Sequence, residues 1–304
     1  MGEEATLAAM AGSIDSETES QPGCWRLAAS MAADVAGLLP ARGERVAVAG
    51  CGTSWFMAQA YASAREMSGQ GESDAFAASE MPLSRGYDRV VVLSRSGTTT
   101  EIIRLLDQLS GKIPTVTITA DAASPAALAA DQAIALDFAD EKSVVQTRFA
   151  TTELALLLTH LGHDIGPAAR AAERAIAEPL AAELTGATQF TFLGTGWALG
   201  LAYEAALKLR EAARMWTEAY PAMEYRHGPA AVTGPGSIVW LLGTAPDGLA
   251  GDITAAGGTA WQTGDEPLAD LVRVQRLAAS AARARGFDPD RPQNLARSVI
   301  LTAG

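Results

Sequence analysis

Apolar residues fall along this chain in two rhythms. Short, nearly unbroken Val/Ile/Leu/Ala runs alternate with longer segments in which apolar positions recur every three or four residues. The runs over 46–50, 74–78, 89–94, 114–120 and 132–137 predict strands, and the segments over 55–67, 99–109 and 147–161 predict helices. Continuous runs, rather than apolar/polar alternation, indicate strands buried on both faces, which means a parallel sheet between helix layers. A second series follows: a helix over 168–184, a strand over 189–193, a helix over 197–214, strands over 215–219 and 237–243, a weaker one over 259–262, and a long helix over 267–285.

The segment before residue 40 predicts one or two helices, broken at Gln21-Pro22-Gly23, that form an N-terminal arm. At the other end, Arg285-Gly286 stops a helix, and Asp288-Pro289-Asp290-Arg291-Pro292 predicts an extended, stiffened tail that packs on something. The expected organisation is an α/β protein with a helical arm at 1–40, α/β units at 41–165 and 166–285, and a packed tail at 286–304. The two units repeat one another. Shifting by 144 residues carries Gly50-Cys51-Gly52 onto Gly194-Thr195-Gly196 and Ala78-Ser79-Glu80 onto Ala222-Met223-Glu224.

Composition narrows the function. With 304 residues and 48% hydrophobic content there is enough apolar material for two packed cores. A formal charge of -12 argues against nucleic acid or an anionic membrane as partner, because both need a basic footprint. No run of apolar residues is long enough to span a bilayer, and the acidic start argues against a signal peptide. Two cysteines in unlike contexts, Cys24 and Cys51, give no disulfide framework, so the expected compartment is the cytoplasm. His160 and His163 end a leucine-rich helix, which is a poor metal site, and neither a metal nor a cofactor is expected.

Two strand-to-helix loops carry anion-binding chemistry. Gly50-Cys51-Gly52-Thr53-Ser54 and Ser94-Arg95-Ser96-Gly97-Thr98-Thr99-Thr100 both lie where a parallel strand meets a helix N-terminus. There glycines let backbone approach an anion, hydroxyls and N–H groups donate to it, and the helix dipole favours it. Ser and Thr are also ordinary N-caps, so the Gly50 loop alone is ambiguous. Five hydroxyls within 94–100 favour a phosphate or sugar, to which Arg95 would add a full charge. Glu141-Lys142-Ser143-Val144 leads into another helix start and would close the same pocket, with Thr147 as an alternative cap.

Acid–base candidates lie further on. Glu204, Lys208 and Glu211 fall at i, i+4 and i+7, one helix face, in the order that favours an ion pair. The loop over 220–229 holds His227, a proton-transfer side chain near neutral pH.

With these residues assembled, the chain resembles the sugar isomerase (SIS) family, in particular the tandem-domain isomerase half of glucosamine-6-phosphate synthase and its stand-alone relatives. The motifs carrying the resemblance, in family order, are Cys51-Gly-Thr-Ser54, Ser94-Arg-Ser-Gly97, Glu141-Lys-Ser-Val144, Ala206-Leu-Lys-Leu-Arg-Glu211, Glu218-Ala-Tyr220 with His227-Gly-Pro229, and Asp288 to Ser298. The resemblance implies two flavodoxin-like three-layer α/β/α domains binding a hexose 6-phosphate through Thr53, Ser54, Ser94, Ser96 and Thr99, with Ser143 and Val144 alongside. It also implies Glu211 as the base that moves a proton between C1 and C2, Lys208 beside those carbons, and His227 opening the sugar ring in the site of a neighbouring subunit, hence a homodimer. Arg297 stands where the family has a lysine, and a guanidinium forms no Schiff base, so it is expected as an electrostatic clamp. The family's glutaminase segment is not found, so the expectation is a related reaction: isomerisation or deamination of an amino- or keto-hexose 6-phosphate. A fructosamine-6-phosphate deglycase and a non-catalytic sugar-phosphate sensor are the alternatives.

Overall fold

In the computed structural model, which describes residues 13–301, every residue of the run Val46–Gly50 is buried, as a strand between two helix layers must be. The first series of elements runs α1 (Ser13–Glu19), α2 (Gln21–Val35), β1 (Val46–Gly50), α3 (Thr53–Met67), β2 (Ser73–Ala77), β3 (Arg89–Leu93), α4 (Thr100–Leu109), β4 (Thr115–Thr119), α5 (Pro125–Ala129), β5 (Gln132–Ala135) and α6 (Arg148–His160). The second runs α7 (Gly166–Ala177), α8 (Ala182–Thr185), β6 (Gln189–Gly194), α9 (Ala198–Ala213), β7 (Thr217–Pro221), β8 (Ser237–Leu242), α10 (Leu249–Ala255), β9 (Thr259–Trp261) and α11 (Pro267–Ala284).

Both sheets are parallel throughout. The first has the order β2-β1-β3-β4-β5 and the second β7-β6-β8-β9, the same winding with one strand fewer. This is the flavodoxin-like order, in which the chain reverses direction across the sheet beside its first strand and ligands bind outside the strand ends at that point. The 144-residue shift survives in the register, since it carries the pair Val46↔Ser73 onto Phe190↔Thr217 and Gly50↔Ala77 onto Gly194↔Pro221. Gly50 and Gly194 end their strands for one reason. A Cβ at either would fall 2.5 Å from backbone of the following helix, at Ser54 and at Ala198, so neither turn accepts a side chain.

The two units share a core. Val46, Val48, Val91 and Leu93 on the inner face of the first sheet join Phe190, Phe192, Ile238 and Trp240 of the second through a common layer of helices. The outer faces are separate. Ala47, Ala49, Val90 and Val92 pack under α4, and Leu193, Val239 and Leu241 pack with Leu249 and Ile253 of α10. In the shared layer α3 crosses α9 at Gly200, whose absent Cβ would lie 2.8 Å from the Ala60 nitrogen and closer still to the Phe56 carbonyl oxygen.

Several expectations change. The N-terminal helices are not an arm: Trp25 has no solvent exposure, its Nε1 donates to Thr151 Oγ1 at 2.9 Å, and α2 lies along α6. Residues 1–12 of that segment lie outside the described residues. The break comes at Ser20, one residue early, because Pro22 sits in the first turn of α2, where a missing N–H costs nothing. The helix expected over 168–184 divides into α7 and α8 around Pro179. The short helices α5 and α10 were not expected, being too brief for a period to show.

Candidate active site

Lys208 is the centre of the site. It is fully buried on α9, and its Nζ donates to Glu211 Oε2 at 2.6 Å and to Thr53 Oγ1 at 3.1 Å, and lies 3.2 Å from Glu204 Oε1. Thr53 opens α3, so this lysine ties the helix of the second unit to the Gly50 loop of the first. Burial opposes its charge, but the two carboxylates outweigh burial and hold its pKa above the usual lysine value. Burial pushes Glu204 up to about 7 despite the opposing pull of Lys208, and the charge of Glu211 adds to the rise. Glu211 retains 21% side-chain exposure and borders an open cavity of about 350 Å³ lined on its other side by Gln293, Asn294 and Leu295 of the tail. A carboxylate held beside an ammonium, with one edge open to a cavity, is the arrangement that general-base proton transfer needs.

The raised pKa of Glu204 makes stability depend on pH. Between the ordinary carboxylate value of 4.5 and about 7 the folded chain holds a proton that the unfolded chain has released. The stabilisation is therefore complete below about 4.5 and is lost as pH rises through about 7, a contribution on the order of 1–3 kcal/mol. Urea unfolding at a series of pH values should show this decline, and Glu204→Gln should make it shallower. An unchanged slope in the variant would assign the proton elsewhere.

The phosphate-loop candidates lie nearby with unequal freedom. Thr53 and Ser54 are buried in the first turn of α3. Ser94 Oγ accepts the Gly97 N–H at 3.2 Å and Ser96 Oγ the Thr98 N–H at 3.3 Å, which sets the turn before α4. Gly97, at φ +60°, is required there, because a Cβ would overlap the Ser124 side chain. Thr99 is the N-cap of α4 and makes no capping bond with its side chain. The tail crosses this helix start: Thr100 N–H donates to the Val299 carbonyl at 3.0 Å, Leu301 N–H to Thr100 Oγ1 at 2.8 Å, and Thr98 bonds Ser298 at 3.0 Å.

Arg95 borders a cavity of about 400 Å³ with Ser96, Thr98 and Arg297, but its guanidinium is largely engaged within the protein. It is buried, donating to the Ser143 carbonyl at 3.0 Å and the Arg297 carbonyl at 2.9 Å, with Glu141 Oε2 at 3.6 Å. Glu141 has no exposure and needs a cation in reach, so Arg95 ties the loop, the tail and the start of α6 together. Thr147 is not the cap that its position suggested. The Glu141 carboxylate caps instead, accepting from Thr147 N–H at 2.6 Å, Thr147 Oγ1 at 2.7 Å and Arg148 N–H at 2.8 Å. Ser143 spends its hydroxyl and N–H on Glu17 of α1, and Val144 N–H donates to the Asp290 carbonyl at 3.2 Å.

Arg297 is also turned away from α9, its guanidinium engaged by the Asp140 carboxylate and the Glu141 carbonyl. His227 ends the 3-10 turn Glu224–His227 and is exposed, making no hydrogen bond or ion pair with Glu204, Lys208 or Glu211 of its own chain. Cys51 is a poor nucleophile, since burial, with Glu101 adding, pushes its thiol up to about 11.

One buried group was not anticipated. Glu153 on α6 has no exposure, and neither carboxylate oxygen has a hydrogen-bond partner among the described residues. Burial holds its pKa well above the carboxylate range against the opposing effect of Ser54 beside it, and Glu141 and Glu204 reinforce the rise. The signal in the sequence was a single Glu inside the apolar stretch over 149–158.

Residues 39–161 match the family model described as SIS domain. The chain is 28% identical over 297 residues to the glutamine–fructose-6-phosphate aminotransferase of Sulfurisphaera tokodaii, covering 85% of this chain and 50% of that protein. It is 31% identical over 220 residues to the Nostoc aminotransferase of the same name, covering 63% and 34%. It thus spans half or less of the length of these curated relatives. Among solved structures, the glucosamine-6-phosphate deaminase of Thermotoga maritima superposes with a TM-score of 0.78 at 22% identity, covering 95% of this chain and all of that one. The tagatose-6-phosphate ketose/aldose isomerase of Escherichia coli gives 0.79 at 18%, covering 97% and 98%. At these identities the two structures establish a shared fold.

Proposed function

We propose that this chain is a sugar-phosphate isomerase or deaminase of the SIS type, moving a proton between C1 and C2 of an amino- or keto-hexose 6-phosphate. The observation that carries this is Lys208 Nζ bonded at once to Glu211 and to Thr53. It brings the acid–base helix and the hydroxyl-bearing loop to one point, as a reaction at C1–C2 with a distant phosphate requires. The names of the relatives, an aminotransferase that uses fructose 6-phosphate, a deaminase and an aldose/ketose isomerase, agree in substrate class.

In this scheme Glu211 removes the proton from the carbon next to the carbonyl and returns it to the neighbouring one. Lys208 stabilises the negative charge that develops on the enediol oxygen, in a site screened from water where such charge stabilisation is most effective. Thr53, Ser54, Ser94, Ser96 and Thr99 receive the phosphate, at loops where sheet strands end against helix N-termini. The units 41–165 and 166–285 are both SIS domains, and the tail 286–304 is the lid, with Arg297 anchoring it to Asp140 rather than reaching the sugar. The exposure of His227, without a hydrogen-bond or ion-pair partner among the described residues, suits a residue that opens the sugar ring in a neighbouring subunit of a homodimer. The expected setting is the cytoplasm.

Incubation with glucosamine 6-phosphate and with fructose 6-phosphate in D2O tests this. NMR should show deuterium entering at C1 or C2, and an ammonia assay should respond to the amino sugar if the reaction is deamination. Neither deuterium nor ammonia at high protein concentration would refute the proposal for these two substrates.

A further inference from the structure

The cavity beside Glu211 is lined on one side by two arginines, Arg210 and Arg214. In a chain with 35 acidic and 23 basic side chains, cations normally find carboxylates, and the fourteen ion pairs among the described residues include neither of these two. Arg210 spends one nitrogen on the Thr217 carbonyl at 3.2 Å. The Arg214 side chain makes no hydrogen bond among the described residues, and its guanidinium lies 4.1 Å over the ring of Phe287. Stacking holds the planar fork while its edge donors stay unused. Glu211, the acid lining this cavity, is already paired with Lys208, so the wall has surplus positive charge.

Arg214 also pays in backbone strain to be there. It closes α9 in the left-handed conformation, φ +52° and ψ +36°, a position where glycine is the favoured residue. Complementing the helix dipole would explain a cation in the last turn, but not one at this strained position. Strained non-glycine residues that persist are concentrated at binding and catalytic sites. Across the cavity Asn294 of the tail is left-handed too, at φ +66°.

We propose that Arg214, assisted by Arg210, forms a carboxylate subsite beside Glu211, so that the sugar phosphate this chain uses carries a carboxylate-bearing substituent close to the carbons that Glu211 serves. A planar guanidinium with two free parallel N–H groups matches a carboxylate bidentately. The substituent can be an amino acid joined through the sugar amine or an acid joined through a sugar hydroxyl, and both present the same headgroup. This rests on the sugar-phosphate function proposed above.

Four non-reactive ligands in two matched pairs separate the cases by calorimetry: N-ethyl-1-amino-1-deoxyglucitol 6-phosphate with its N-carboxymethyl counterpart, and 3-O-ethyl-1-deoxyglucitol 6-phosphate with its 3-O-carboxymethyl counterpart, the ethyl compound being the parent in each. One carboxylate-bearing ligand should bind about 10- to 100-fold more tightly than its own parent, the range expected for charge-assisted hydrogen bonds, and which one identifies the source. Arg214→Gly should fold, because glycine suits φ +52°, and should reduce that preference to within about twofold. Arg214→Lys should restore only part of it, since an ammonium lacks the fork. Parents that bind with no gain from either carboxylate overturn the subsite alone, as does a gain that survives Arg214→Gly. Failure of all four to bind would remove the sugar-phosphate function and the subsite with it.

Discussion

Glu211→Gln should lower the rate of hydrogen exchange at C1–C2 by about a thousandfold or more, near the upper part of the range for loss of a positioned general base. The change is one of chemistry, not of shape. Glutamine fills the same volume, and Lys208 keeps Glu204 at 3.2 Å and Thr53 at 3.1 Å, so the buried ammonium is not left without partners. KM for a hexose 6-phosphate should move little, because the loops proposed to hold the phosphate lie on the other unit. Single-turnover exchange in D2O, with thermal unfolding as the control for folding, separates the two quantities. A rate within tenfold of the native one would mean that Glu211 is not the base.

Gly200→Ala should damage both stability and activity. In an exposed helix the same change is favourable by about 0.8–1 kcal/mol, but here the new methyl meets the Ala60 nitrogen at 2.8 Å and the Phe56 carbonyl oxygen closer still. Those are backbone atoms, so the helix α3 must move as a body. Overpacking of this kind costs about 1–3 kcal/mol, occasionally more, and moving α3 separates Thr53 from Lys208. The expected result is a Tm lowered by several degrees with kcat/KM reduced at least about tenfold, since small misplacement of reacting groups has large kinetic effects. Gly23→Ala is the matching control. Gly23 lies in α2 with nothing within 4 Å of its missing Cβ, so that variant should gain stability, by about 0.5–1 kcal/mol. A Gly200→Ala protein as stable as the Gly23→Ala one would contradict a close crossing of α3 and α9.

Much of the architecture was legible because period and length are local properties. The runs at 46–50, 89–94 and 237–243 read as buried strands from their unbroken apolar character, and they lie within a residue of β1, β3 and β8. Direction was not legible. Glu141, Ser143 and Arg95 were visible as polar residues at a helix start, but whether they face a ligand or one another depends on α1 and the tail, which are distant in sequence and brought in by Glu17 and Asp290. The arm failed for a related reason. The helical character of this segment was legible, yet nothing local says that Trp25 closes over Thr151 rather than standing out in solvent. Glu153 and Arg214 escaped because each gains its meaning from a neighbour in three dimensions, Ser54 for the one and Phe287 for the other.

The shared register of the two sheets bears on how many reactions one chain can host. Equivalent backbones would allow two equivalent centres, one at each switch point. The side chains rule that out: carried back by 144 residues, Glu204, Lys208 and Glu211 fall on Ala60, Ala64 and Met67, while Thr53 and Ser54 carried forward fall on Trp197 and Ala198. Each helix has kept what the other lacks. Under the proposed function one half contributes the cradle and the other the proton traffic, and neither half separated from the other contains both sets of side chains.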